Sequence, residues 1–263
     1  MTNDICIVSV GIDGREPYSQ YASILEQKAK EHGYSTMVWK NEYPPNSPTH
    51  QEVPYAFKPF AIKAAKDNGY KKVMWLDCKC YIQKELTKIN ESLNDDGHWF
   101  MYDGGTVGEW CKDGALQLLG ITREEAFGIS VIAAKHFALN FDKEIAVFFF
   151  EEYLKYAIDN GGDAYRGPWK NTSLEASSDR RVKGHRHDQT CASVIVHKLN
   201  MEVKENKSIE WRDGWKFREV QMDPEIIFDG YLHGIHNCSC DSCSKAMNDV
   251  QKNKKYIPEY FMR

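Results

Sequence analysis

The chain opens on a short apolar, β-branched run, residues 4–10 (DICIVSV), closed by Gly11, which predicts a buried strand. Over 18–30 the apolar positions Tyr21, Ala22, Ile24, Leu25 and Ala29 recur at helical spacing, and Gly33 stands where a helix C-cap is expected. Residues 35–40 (STMVWK) predict a second strand, and 41–54, with four prolines, a loop. A helix over 57–68 ends at Gly69, a buried strand follows over 71–78 (KKVMWLDC), and a short one over 80–83. The order βαβαβ is the mark of a parallel sheet with crossover helices.

Further along, the pattern predicts a strand over 98–102, a helix over 110–119 ended by Gly120, and a short helix over 122–126. Thr122 and Glu125 stand in capping-box spacing at the start of that short helix. A strand over 128–134 and a long helix over 141–158 come next. The stretch 160–184 is rich in Gly, Ser, Asn and charge and reads as an ordered surface excursion or lid. A helix over 187–199 and a strand over 226–229 complete the pattern. There is no internal repeat and no clear boundary, so the expectation is one α/β domain with a mostly parallel central sheet flanked by helices.

Composition narrows the function. With 34 Lys+Arg against 38 Asp+Glu, a net charge of −4 argues against a protein that holds a nucleic-acid duplex by phosphate contacts. No stretch approaches the roughly 18 apolar residues of a membrane span, and the N-terminus carries no leader-like pattern. Five of the eight cysteines are dispersed in apolar segments as reduced thiols would be, so a cytoplasmic protein is expected.

Three features carry candidate chemistry. Trp75-Leu76-Asp77 delivers an acid at the carboxyl end of a strand, where open α/β sheets bind ligands; alone, Asp77 reads equally as a turn residue. Phe57-Lys58-Pro59 opens the preceding helix, where Pro is a routine start signal and a lysine is usually solvated. Gly184-His185-Arg186-His187-Asp188-Gln189 puts acid, amide and two imidazoles before an apolar helix. An Asp there is often no more than a cap, but a cap does not require that density.

Taken together and in this order, these features resemble small nucleotide-sugar-dependent glycosyltransferases of the GT-A fold, of the bacterial and large-DNA-virus type and more distantly glycogenin-like. The resemblance covers roughly residues 4–200. It implies a Rossmann-like GT-A sheet, with 1–105 as the nucleotide-binding half, 106–230 as the sugar and acceptor half and 231–263 as a Cys/His-containing tail. It further implies a UDP-sugar donor and an acceptor that is a glycan, a protein or a modified base. The loop from Val10 and Gly11 to Arg15 would lie under the nucleoside base, and Ser130, after Gly128 and Ile129, would line the sugar pocket. Asp77 would begin the Asp-x-Asp motif, and Asp188 and Gln189 match the acid–amide pair facing the sugar in retaining members. His233 would complete the shell of a Mn²⁺ or Mg²⁺ ion.

One position departs from that pattern. The motif's second acid falls at Lys79, and a charged lysine cannot ligate a hard cation. Either Asp77 holds a metal with Asp103 or His233, or Lys79, Lys58 or Arg15 neutralises the diphosphate directly. His187 or His185 would handle the acceptor proton, since imidazole titrates near neutrality. In the tail, Cys238, Cys240 and Cys243 with His236 or His233 have the donor types of a structural zinc site, although one Cys spacing is unusual. Two other readings stand beside glycosyl transfer. One is a sugar-phosphate nucleotidyltransferase, for which the Gly11–Arg15 loop is a poor phosphate loop. The other is a zinc-bearing interaction module on an α/β scaffold.

Overall fold

The structure is a computed structural model that describes residues 3–14, 16–82 and 85–204 and the backbone of 226–228. Strand β1 (Asn3–Gly11) is followed by α1 (Tyr18–Glu31), β2 (Tyr34–Lys40), α2 (Phe57–Asp67), β3 (Lys72–Leu76) and β4 (Cys80–Ile82). Then come α3 (Thr87–Asp95), β5 (His98–Trp99), β6 (Tyr102–Thr106), α4 (Val107–Trp110), α5 (Asp113–Leu119) and α6 (Arg123–Phe127). The last described elements are β7 (Ser130–Ile132), β8 (His136–Asn140), α7 (Glu144–Ile158), α8 (His187–Lys198) and β9 (Ile226–Phe228).

The main sheet has the order β2-β1-β3-β8-β5. β1 runs parallel to β2 and to β3, while β8 runs antiparallel to β3 and β5, so four strands share one direction. The expected mostly parallel α/β sheet is therefore present. Strand alternation divides the core in two. Cys6, Val8, Val10, Val73 and Trp75 pack with Ile62 of α2, Phe149 of α7 and Val194 of α8. Ile5, Ile7, Met74 and Leu76 pack with Leu25 of α1 and with Ile89 and Leu93 of α3. Helices thus cover both faces. The chain reverses its winding at β1, and the carboxyl ends of β1 and β3 border the crevice where such sheets take ligands.

Gly11 is fixed by packing. A Cβ there would lie 2.3 Å from the Tyr18 carbonyl oxygen and 2.8 Å from Ala22 Cβ, so α1 can approach β1 only over a glycine. The Thr122–Glu125 capping box is present at the start of α6.

Several expectations are corrected. The strand over 98–102 is two strands, β5 and β6, in different sheets. The helix over 110–119 is broken at Cys111, whose extended backbone (φ −128°, ψ 133°) separates α4 from α5. Helix α3 and strand β8 were not foreseen. The stretch 160–184 is an ordered surface excursion, anchored by the buried Ala164, Tyr165, Asn171, Ala176, Ser177 and Val182. Asn171 closes it, its Nδ2 donating to the Ser177 and Val182 carbonyls and its Oδ1 accepting from the Ala176 and Ser177 amides. Among the described residues no helix is long and apolar enough to cross a membrane.

Candidate active site

Lys58 lies in the first turn of α2 with only 3% of its surface exposed. The turn is ordered by its own chain, the Lys58 amide donating to the Tyr55 carbonyl. The ammonium donates to the Ala134 carbonyl at 2.9 Å and stands 3.0 Å from Asp188 Oδ2 and 3.4 Å from Asp77 Oδ1. It also lies 5.1 Å from the centre of the Tyr55 ring and 5.6 Å from that of Trp75. One buried cation thus joins two acids that are 111 positions apart in sequence.

Each acid is held by a second group. Asp77 follows the last residue of β3; its amide donates to the Lys135 carbonyl, and Oδ1 accepts the Trp75 indole N–H at 2.9 Å. A third of its side chain remains exposed. Asp188 is buried in the first turn of α8, where Oδ2 also accepts the Tyr153 hydroxyl at 3.1 Å. Its carboxylate is therefore not the cap of α8, which has no side-chain cap. Gln189 donates through Nε2 to Asp103 Oδ2 and to the Ile132 carbonyl, both at 2.8 Å, and Lys135 Nζ lies 3.4 Å from Asp103 Oδ1.

Burial opposes the charge on Lys58, but the two carboxylates prevail and hold its pKa above that of an ordinary lysine. Burial raises Asp188, with Lys58 and the tyrosine hydroxyl pulling the other way. Asp77 is shifted upward for the same reason, with Lys58 and the Trp75 indole opposing. The ammonium is thus the fixed charge around which both acids are arranged.

The structure brings together Lys58, Asp77 and Asp188, with Gln189 next along α8 and the His187 ring 5.4 Å from that of Tyr55, and gives Lys79, Val10 and Ser130 other surroundings. Lys79 pairs with Glu16 and lies over the rings of Tyr18 and Tyr21. Val10 is a buried core residue, and Ser130 is exposed in β7. Arg15, His233, His236, Cys238, Cys240 and Cys243 lie outside the described residues.

The near-neutral imidazoles expected at 185 and 187 are a correction. His185 is fully buried, its Nδ1 accepting the Lys112 amide and its Nε2 bonded to the Ala164 carbonyl, and burial lowers its pKa to about 3. His187 bonds the Tyr165 carbonyl through Nδ1 at 2.8 Å, stacks on Trp169, and is lowered by burial to about 4. Both rings are neutral at physiological pH. Sequence reasoning missed Tyr153 and Lys135 as partners of the site. Neither carries a signal, since Tyr153 sits in an ordinary apolar helix face and Lys135 follows a hydrophobic run.

A divalent ion needs several oxygen donors. Asp77 already gives one oxygen to an ammonium and an indole, Asp103 gives one to Lys135 and one to Gln189, and position 79 is a lysine. Among the described residues no group of three or more His, Cys, Asp or Glu could hold a metal. Within the described residues the expected ligands Asp77 and Asp103 are thus engaged by other partners, and His233, expected to complete the shell, lies outside those residues.

No family profile matches this chain, and no curated protein matches it. Solved structures do. A glycosyltransferase involved in glycosylation of the major capsid of PBCV-1 is 16% identical, with TM-score 0.38, over 59% of this chain and 68% of that one. The galactosyltransferase LgtC in complex with donor and acceptor sugar analogs is 14% identical, with TM-score 0.34, over 62% and 66%. An active-site mutant of LgtC is 11% identical, with TM-score 0.44, over 94% and 95%. These neighbours are glycosyltransferases; at such scores the likeness carries no argument about chemistry, which rests on the residues.

Proposed function

We propose that this protein is a GT-A-like glycosyltransferase that moves a sugar from a nucleoside-diphosphate sugar, a UDP-sugar, to an acceptor hydroxyl with retention of configuration. The observation that supports this reading is the single buried ammonium of Lys58 between Asp77 and Asp188, at the carboxyl edge of the sheet.

Departure of a nucleoside diphosphate from an anomeric carbon builds negative charge on phosphate oxygens and positive character on the sugar ring. Lys58 answers the first, and Asp188, with Gln189 beside it, answers the second. Asp77, partly exposed at the end of β3, binds the ribose side of the donor. The nucleoside lies toward the carboxyl end of β1, in the half 1–105, and the sugar and acceptor in the half 106–230. The glycosidic C–O bond breaks, and the acceptor oxygen bonds to the same face of the anomeric carbon. The acceptor proton passes to the departing diphosphate, whose oxygens titrate at about 6. A His187 imidazole held near 4 is a weaker base.

The test is a screen of nucleotide sugars for slow hydrolysis and for a rise in Tm, which a ligand of the folded state produces by mass action. A UDP-sugar should stabilise the wild-type protein, and Asp77→Ala should abolish that stabilisation while keeping the circular dichroism of the fold. Unchanged affinity in folded Asp77→Ala removes the donor-site assignment. Turnover of a sugar 1-phosphate with a nucleoside triphosphate would instead favour nucleotidyl transfer.

A further inference from the structure

Arg186 stands at the start of α8, and glycosyl transfer as described leaves it without a role. Its Cζ lies 3.8 Å from the ring centre of Trp110 and 3.9 Å from that of Trp169. The two indoles occupy the guanidinium faces, and the side chain as a whole is half-buried. Nη1 is buried and has no hydrogen-bond partner. Burial disfavours the charge, and the Asp103 carboxylate supports it through space. The two indole faces stabilise the cation, but the orphaned Nη1 donor still costs free energy.

The cradle is built, not incidental. The Arg186 amide donates to the Trp110 carbonyl at 3.0 Å, and the Thr190 hydroxyl donates to the same oxygen at 2.9 Å. The stretch bearing Trp169 is tied back by the His185 amide on the Pro168 carbonyl and the Asn171 amide on the Lys183 carbonyl. A Cβ at Gly184 would lie 2.1 Å from the Trp169 carbonyl oxygen, so only glycine allows this approach. Trp169 nevertheless keeps 48% of its surface exposed. An indole held rigid and half open suits the apolar face of a sugar ring.

We propose that Arg186 is an anion-binding subsite, and that the oxyacid group it takes belongs to an acidic sugar on the acceptor. A guanidinium edge presents parallel N–H donors that match carboxylate, phosphate or sulfate two by two. Placement favours the acceptor as its carrier. Helix α8 packs with α7, α4 and β7, and β7 pairs with β6 outside the main sheet, whereas the nucleoside end of the proposed donor lies at β1. The word acceptor rests on the glycosyltransferase reading; the anion site does not.

The experiment titrates the full-length protein with p-nitrophenyl β-glucuronide and with its neutral counterpart, p-nitrophenyl β-glucoside, by calorimetry. A charge-assisted bidentate contact predicts that the wild-type protein binds the glucuronide on the order of ten-fold more tightly. Arg186→Gln should level the two, and Arg186→Lys should restore part of the preference. The wild-type titration decides even if the Gln variant fails to fold, because equal binding of the two glycosides overturns the proposal. A preference that survives in folded Arg186→Gln also overturns it. UDP forms the third arm: if Arg186→Gln weakens UDP binding ten-fold and spares the glucuronide preference, the oxyanion is the donor's diphosphate and the acceptor assignment is wrong. Wild-type protein that prefers the glucuronide yet neither binds nor hydrolyses any UDP-sugar would keep the anion site and remove the glycosyltransferase reading.

Discussion

Replacing Asp188 by Asn separates the charge of this residue from its place in the fold. The side chain is buried, with Oδ2 3.0 Å from the Lys58 ammonium and 3.1 Å from the Tyr153 hydroxyl. Asn has the same shape and keeps an oxygen that can accept either hydrogen, so no cavity opens. What is lost is the difference between a hydrogen bond to a charged group and one to a neutral group, about 1–2 kcal/mol. Lys58 retains Asp77 at 3.4 Å, so no buried charge is stranded. For a chain of this size that loss lowers Tm by about 2–8 °C, and the protein stays folded at 25 °C. The catalytic effect should be larger. If the carboxylate answers positive charge that develops only in the transition state, its removal lowers kcat by on the order of 10²–10⁴, or about 2.7–5.4 kcal/mol, with little change in donor Kd. Calorimetric titration with the UDP-sugar gives Kd, single-turnover transfer gives the chemical step, and thermal melting gives stability. Near-wild-type transfer by Asp188→Asn would refute the catalytic assignment, and with it the main reason for expecting retention. A Kd that collapses while bound substrate still turns over would make Asp188 a donor-binding group alone.

Acid should unfold the protein well above the carboxylate range. His136, His185 and His187 are buried with pKa values lowered to about 3, 3 and 4, against about 6.5 in an unfolded chain. Between those values the unfolded state holds more protons, so stability falls as pH drops from about 6.5 and the loss is complete near the folded values. At pH 5 each contributes a loss of about 2 kcal/mol, together a large part of a typical domain's stability; denaturant melts that give the same stability at pH 5 and pH 7 would contradict this. Chelation should have little effect on transfer. Lys58 already supplies the cation beside Asp77, so excess EDTA should leave the rate within about two-fold, and a metal-requiring enzyme would instead lose most of its activity.

What could be seen in the sequence followed from the strength of each local pattern. β1, α1, β2, α2 and β3 have clear periodicity and glycine stops, and their order alone indicated a parallel sheet with crossover helices. Lys58, Asp77, Asp188 and Gln189 were visible as motifs because they sit at element ends, where chemistry concentrates. Strand β8 was hidden because all five of its residues are buried, so it lacks alternation and merges with the apolar helix after it. Helix α3, of nine residues, has a polar composition that only its buried Ile89, Ser92 and Leu93 betray. The histidines were misjudged for a different reason. Their titration depends on burial by Tyr165, Trp169 and Ala164, and sequence spacing carries no information about desolvation. The same holds for the Lys58 bridge, since no local pattern tells which acids a buried ammonium will meet.

The Lys58 network is hard to explain as a device for stability. Apolar residues of similar volume in place of a buried ion pair are often neutral or stabilising, so selection for stability alone would not retain three charged groups there. Nor is the network closed as a structural one would be, because a third of the Asp77 side chain faces solvent. Its flanks are strained as well. Tyr55 and His187 both have positive φ, 62° and 49°, and their rings lie 5.4 Å apart beside Lys58. For residues other than glycine such backbone costs about 1–3 kcal/mol and persists only where the surroundings impose it. Desolvated charge, strained backbone and one open carboxylate therefore coincide at the carboxyl ends of β1 and β3. A ligand whose hydroxyls donate to the open Asp77 carboxylate, as a ribose would, offsets part of that desolvation, and that is the physical reason to place the reaction there.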